Sequence, residues 1–316
     1  MDRFRKSIVV LSVFCLVTGQ ATAGDSDDEE IAPGCTGIAT AAFKACRHEI
    51  QDDFWIATGN CNNLPDPSAR AECNEKAKAA REEAREDCEA QRAARGELCT
   101  AIGEAPYAPQ INRSMFVNPA DIGGSVAPNP YFPLVRGRTW ILKSGDETIT
   151  TTVTRETKRI LGVTCAVIQD VVEEDGEVIE STKDWYAQDL QGNVWYFGES
   201  TQDFENGELF SIDGSWTAGL DGARAGIVMK AMRTVGDVYR QEFSLANAED
   251  AAEIISLTGS ASVPAGSCNG DCLITKDYTP ISPGVFEHKY YAPGVGMILE
   301  VDPNTGKRVE LVEIRN

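Results

Sequence analysis

The sequence predicts an α+β protein: an N-terminal disulfide-linked helical hairpin followed by an antiparallel β meander, closed as a barrel or half-barrel. Three observations predict it. Six cysteines between positions 35 and 99 are spaced 11, 15, 12, 15 and 11 residues apart, a palindrome. The same stretch places small and apolar residues at intervals of three and four, the period of one helix face. Beyond Trp140 the period drops to two, broken by short Gly, Asn and Asp clusters that read as turns.

The chain opens with Arg3, Arg5 and Lys6, an apolar run from Ile8 to Val17, and the small-residue pattern Ala21-Thr22-Ala23. That layout predicts a signal peptide over 1–23. The run is shorter than the roughly 18 apolar residues of a membrane helix, and Phe14 before Cys15 is a poor match to a lipid-attachment motif. Residues 24–34 are expected to form an acidic disordered lead-in, with Asp25, Asp27, Asp28, Glu29 and Glu30. The formal charge is −20, and −22 without residues 1–23. Such a chain repels phosphate backbones, so nucleic acid is excluded as a partner class. Basic partners or divalent cations suit it better, and so does a solvated surface. The expected location is secreted or periplasmic, with no membrane span.

Residues 35–102 carry the hairpin. Cys35, Ala39, Ala42, Cys46, Ile50, Phe54, Ala57 and Cys61 form one stripe, and Cys73, Ala77, Ala80, Ala84 and Cys88 a second. Between them Asp66 is placed as an N-cap and Pro67 as the first helical residue. Residues equidistant from a hairpin's turn lie opposite each other, so the palindrome pairs Cys35 with Cys99, Cys46 with Cys88 and Cys61 with Cys73. Alanines at the seam permit the Cα approach of about 4.4 to 6.8 Å that a disulfide requires. Zinc ligation fits less well, because there is no Cys-x-x-Cys and only His48 is nearby. The shape is similar to coiled-coil-helix modules, whose regular nine-residue spacing is absent here.

Residues 103–128 are rich in proline and glycine and read as an extended linker. Asn112-Arg113-Ser114 matches a glycosylation sequon. From 129 to 316 about ten strands are expected. They are joined by Ser144-Gly145-Asp146, Glu174-Asp175-Gly176, Gln191-Gly192-Asn193, Glu205-Asn206-Gly207 and Pro303-Asn304-Thr305-Gly306. Residues 247–256 read alternatively as a short helix lying on the sheet. Three cysteines fall in this region. Cys165 and Cys272 sit in strand-like runs and are the expected pair, with a local Cys268–Cys272 bridge as the alternative.

The strings NPYFPLVRGRTW (129–140), VTRETKRILGVTC (153–165), DWYAQDLQGNVWYFGE (184–199), VGDVYRQEF (235–243) and EHKYYAPGVGMILE (287–300) point to a family. Over about 129–314 the chain resembles a widespread group of exported bacterial β-rich proteins of unassigned function. The resemblance implies a β fold and export and carries no activity. The cysteine hairpin lies outside it, as an appended module.

No nucleophile elbow, His-Glu-x-x-His, phosphate loop or dinucleotide fingerprint is present, and no cofactor is indicated. Asp184, Tyr186, Trp195 and Tyr196 flank one predicted turn and form a candidate ligand wall, aromatic with a converging carboxylate. Glu199, Glu242, Glu287 and His288 form an alternative divalent-metal set. The expected function is an exported, non-enzymatic binding protein whose β domain holds an apolar or amphipathic ligand and whose hairpin contacts other proteins. The alternatives are a metal-binding protein and a structural or adhesive module of the envelope.

Overall fold

The structure, a computed structural model, describes residues 31–316. The expected signal peptide and most of the acidic lead-in lie outside the described residues.

Two antiparallel helices come first, α1 (Cys35–Asn62) and α2 (Pro67–Ile102). Asp66 caps α2 by accepting from the Ser68 and Ala69 backbone N–H groups, and Pro67 takes the first turn, where its missing N–H costs nothing. Disulfides join Cys35 to Cys99, Cys46 to Cys88 and Cys61 to Cys73, with Cα–Cα distances of 5.5, 6.0 and 5.5 Å. Ala39, Ala42 and Ala77 are buried at the seam. Large apolar side chains are scarce there, and arginine guanidinium groups cover the rings instead: Arg81 Cζ lies 4.0 Å from the Phe54 centroid and Arg92 Cζ 4.8 Å from that of Phe43. The far end of α2 docks on the β region. The Arg95 guanidinium meets the Glu249 carboxylate, and Gln91 donates to the Ile281 carbonyl at 2.9 Å.

The strands are β1 (Thr139–Ser144), β2 (Glu147–Ile160), β3 (Val163–Glu174), β4 (Glu177–Gln188), β5 (Val194–Glu205), β6 (Glu208–Ser211), β7 (Trp216–Thr217) and β8 (Arg224–Met229). They continue with β9 (Val238–Arg240), β10 (Glu242–Phe243), β11 (Ala251–Val263), β12 (Gly266–Tyr278), β13 (Phe286–Ala292), β14 (Gly296–Val301) and β15 (Arg308–Arg315). One antiparallel sheet runs β10-β8-β5-β4-β3-β2-β1-β15-β14-β13-β12-β11-β9, with β6 and β7 also pairing with β5. Its two ends are separated in the chain by Gln241 alone, so the sheet curls into a nearly closed barrel. In the turns after β3 and β5, Asp175 and Gly176, then Asn206 and Gly207, all take positive φ (53, 83, 53 and 77°). Two consecutive left-handed residues are what the tightest hairpin turn requires.

Alternation along the strands sorts the side chains onto two faces. Ile168 of β3 joins Leu134, Trp140, Leu142, Ile254, Leu273 and Ile298 in one apolar cluster; Val163, Cys165 and Val167 join Trp185, Phe197 and Trp216 in another.

Three expectations are corrected. Fifteen strands replace about ten among the described residues, because β6, β7, β9 and β10 are only two to four residues long, too short to show a period. Residues 247–256 are not a helix: from Ala251 the chain is β11, paired with β12 from Ala251–Tyr278 onward. Its Ala-Glu composition favours helix, and the waiting strand partner overrides it. The Cys165–Cys272 bridge does not form. Cys272 bonds Cys268 with Cα atoms 5.3 Å apart, across a ladder irregularity where Gly259 faces Cys272 and Ser260 faces Asn269. Cys165 is a buried free thiol in the other apolar cluster, with five strands between β3 and β12 in the sheet order. The proline-rich stretch before β1 is partly buried: Phe116 packs edge-on against Trp195 and Phe197, and the Tyr107 hydroxyl donates to the Ala225 carbonyl at 3.0 Å.

Candidate functional site

The curled sheet and the segment before β1 line a half-open cavity of about 290 Å³. Its apolar lining includes Phe132, Leu134, Trp140, Leu142, Ile168 and Met297. Trp140 is locked there by its indole N–H, which donates to the Val295 carbonyl at 2.8 Å. Tyr186 and Tyr196 face each other across the β4–β5 ladder and stack, with centroids 4.5 Å apart and planes 16° apart. Phe132 leans on Tyr186 at 5.1 Å.

The opposite chemistry shares the same space. Asp170, Asp184, Glu242, Asp250 and Asp277 line the cavity, with Lys289 as the only amine lining it among the described residues. Most of these carboxyls are held by neutral donors: Thr151 to Asp170 at 2.8 Å, Tyr196 to Asp184 at 2.6 Å, the Trp216 indole to Glu242 at 2.9 Å, Gln241 to Asp277 at 3.1 Å. Lys289 Nζ lies 3.5 Å from Asp277, 3.7 Å from Glu287 and 3.7 Å from Glu300.

Burial penalises so much negative charge in one place. It pushes Asp170 up to about 6, and Glu199 and Glu300 up to about 7. Asp184 is raised well above the usual carboxylate range by burial and then by Glu199, and Glu242 by burial and then by Asp250 and Glu199. Burial pulls Lys289 down, but the surrounding carboxylates, Asp277 first, more than reverse this and keep it charged.

These shifts fix a sign for stability. A carboxyl whose pKa is raised by folding contributes most while it is protonated, and that contribution fades as pH climbs from its ordinary value near 4 to its folded value. With folded values of about 6 at Asp170 and about 7 at Glu199 and Glu300, the ligand-free protein is expected to lose stability between about pH 4 and pH 7. Calorimetry should show Tm falling by roughly 5 °C or more across that interval. A flat or rising Tm would contradict the buried acidic wall.

Of the sequence-predicted ligand wall, Asp184, Tyr186 and Tyr196 line the cavity. Trp195 does not. Its ring packs on Phe116, and its indole donates to Asp189 at 2.9 Å, away from the cavity, because neighbours on a strand point to opposite faces. The predicted metal set is not assembled. Glu242 lines the cavity and Glu287 reaches Lys289, but His288 follows Glu287 on β13 and faces the other side, beside the Phe286 ring at 5.8 Å. Among the described residues no group of three or more His, Cys, Asp or Glu is arranged to hold a metal ion.

Sequence reasoning missed Asp170, Asp250, Asp277, Lys289, Tyr291 and the apolar lining. One signal was available: Ile168 with Asp170 and Lys289 with Tyr291 share strand parity, so each charge falls in an inward-facing register.

No protein-family model matches this chain, and no curated protein does. Two solved structures are similar in part. One is a protein from Bacteroides fragilis NCTC 9343 described as exported and YmcC-like in fold, with 14% identity, 57% of this chain and 96% of that chain covered, and a TM-score of 0.32. The other, from Parabacteroides distasonis ATCC 8503, is described as a lipoprotein, with 15% identity, 60% and 100% coverage, and a TM-score of 0.33.

Proposed function

We propose that this is an exported, non-enzymatic binding protein whose curled sheet holds a small amphipathic molecule. The cavity carries the reading: apolar and polar side chains line one space, as in a binding pocket. In this reading residues 129–316 are the binding unit, 103–128 the connection, and 35–102 a separate stapled unit that contacts other proteins. Trp55 and Ile56, 62% and 57% exposed on α1, supply an apolar surface for that contact. Four disulfides among the described residues fit an oxidising compartment outside the cytosol.

The test is to fill the cavity. The neutral fluorophore N-phenyl-1-naphthylamine is expected to bind the wild type, and Ile168→Trp to weaken binding at least tenfold with the fold intact by circular dichroism. Leu142→Phe should act in the same direction. Trp195→Phe, outside the cavity, should change nothing. Equal binding by all four proteins would refute the pocket.

A further inference from the structure

Resting on that reading, we infer that the cavity recognises an organic cation, a primary or secondary ammonium group carried on an apolar body.

Charge is the first argument. Lys289 already has three carboxylates around it, Asp277, Glu287 and Glu300. Asp170, Asp184 and Glu242 form no ion pair with any lysine or arginine among the described residues, and their hydrogen bonds come from a threonine, a tyrosine and a tryptophan. These neutral donors orient the carboxyls without neutralising them. Burial holds protons on Asp184 and Glu242 in the ligand-free protein. A ligand cation placed between them favours release of those protons to solvent, and gains an attraction to the resulting carboxylates that an alcohol lacks and that a carboxylate ligand would turn into repulsion.

The second argument is independent of charge. Tyr291 is 4% exposed and lies on the cavity wall, where its ring carries a hydroxyl able to accept a hydrogen bond. An ammonium N–H entering the cavity can donate to that hydroxyl, and a quaternary ammonium cannot. Aromatic side chains complete the site. Tyr186, Tyr196 and Trp140 line the same cavity, and aromatic rings are what cages for amines use. A bare metal ion gains less, since the carboxyls are not grouped as ligands.

Displacement of N-phenyl-1-naphthylamine from the wild type should be measured with hexylamine, hexan-1-ol and hexanoate, which share an apolar body and differ in the head. Hexylamine is expected to bind at least tenfold more tightly than hexan-1-ol, with hexanoate weakest. Asp184→Asn with Glu242→Gln should remove that preference while leaving hexan-1-ol unchanged. Tyr291→Phe should weaken hexylamine several-fold and spare hexyltrimethylammonium, which has no N–H to donate. Hexan-1-ol or hexanoate binding as tightly as hexylamine would overturn the cation while leaving the pocket standing. Displacement of hexylamine by calcium or magnesium chloride at equal concentration would overturn it in favour of a metal. Failure of both the probe and all three ligands would remove the pocket itself.

Discussion

Reduction of the cystines is expected to abolish most of the helical far-ultraviolet signal while the β signal of the sheet persists. The hairpin's buried residues are chiefly cysteine, alanine and glycine, with Ile50 and Leu98 as its large apolar members. A seam that small offsets little of the entropy of ordering two long helices. The three bridges close separations of 64, 42 and 12 residues, each contributing on the order of 2 to 4 kcal/mol by restricting the unfolded chain. Their joint loss, about 6 to 12 kcal/mol, is comparable to the whole stability of a typical domain. The fourth bridge, Cys268–Cys272, spans four residues inside a strand paired on both sides, so its loss should leave the sheet in place. The variant Cys46→Ala with Cys88→Ala should keep helix at 25 °C and melt earlier. Helicity and Tm unchanged in reductant would show that packing, and not cross-linking, holds the hairpin.

Breaking the Arg95–Glu249 pair should destabilise the protein by about 3 to 5 kcal/mol. The two side chains are 3% and 0% exposed, and the guanidinium donates to both carboxylate oxygens, the shortest contact being 2.7 Å. Glu249 also accepts from the Ala246 backbone N–H at 2.8 Å, where Ala246 holds a left-handed φ of 62°. The pair therefore joins α2 to the turn between β10 and β11, beside the place where the sheet closes. A second guanidinium, Arg240, is buried nearby; its Nε and Nη1 have no hydrogen-bond partner, and Phe243 and Tyr107 face it at 4.8 and 5.7 Å. Glu249→Leu would leave two buried cations without their carboxylate and is the more damaging single change. Arg95→Leu with Glu249→Leu should recover part of the loss, because a buried ion pair replaced whole by apolar groups is close to neutral. Chemical denaturation of the three variants measures this. A double variant as unstable as Glu249→Leu would show that the carboxylate's bond to Ala246, and not the pair, carries the effect.

The hairpin was legible in detail because cysteine spacing reports distance along a helix, and opposed residues at a turn obey one sum. The sheet was legible as a class, since alternation and the Asp-Gly and Asn-Gly turns mark hairpins one at a time. Pairing between distant segments leaves no such mark. Nothing local shows that β1 meets β15, or that Cys165 and Cys272 lie in different clusters. The site was legible where it sits on one hairpin, at Asp184, Tyr186 and Tyr196. Trp195 and His288 were misplaced by treating adjacent strand residues as neighbours in space, when alternation sends them apart. Asp170, Asp277, Lys289 and Tyr291 converge only on closure of the sheet, which is a property of the whole topology.

The most direct test of the binding reading is a native mass spectrum of the protein purified from an oxidising compartment without added ligand. The mass should exceed that of the mature chain, less two protons for each disulfide, by one small organic molecule. That excess should be lost in Ile168→Trp. A bare chain in every charge state, under spray conditions in which added hexylamine stays bound, would contradict it.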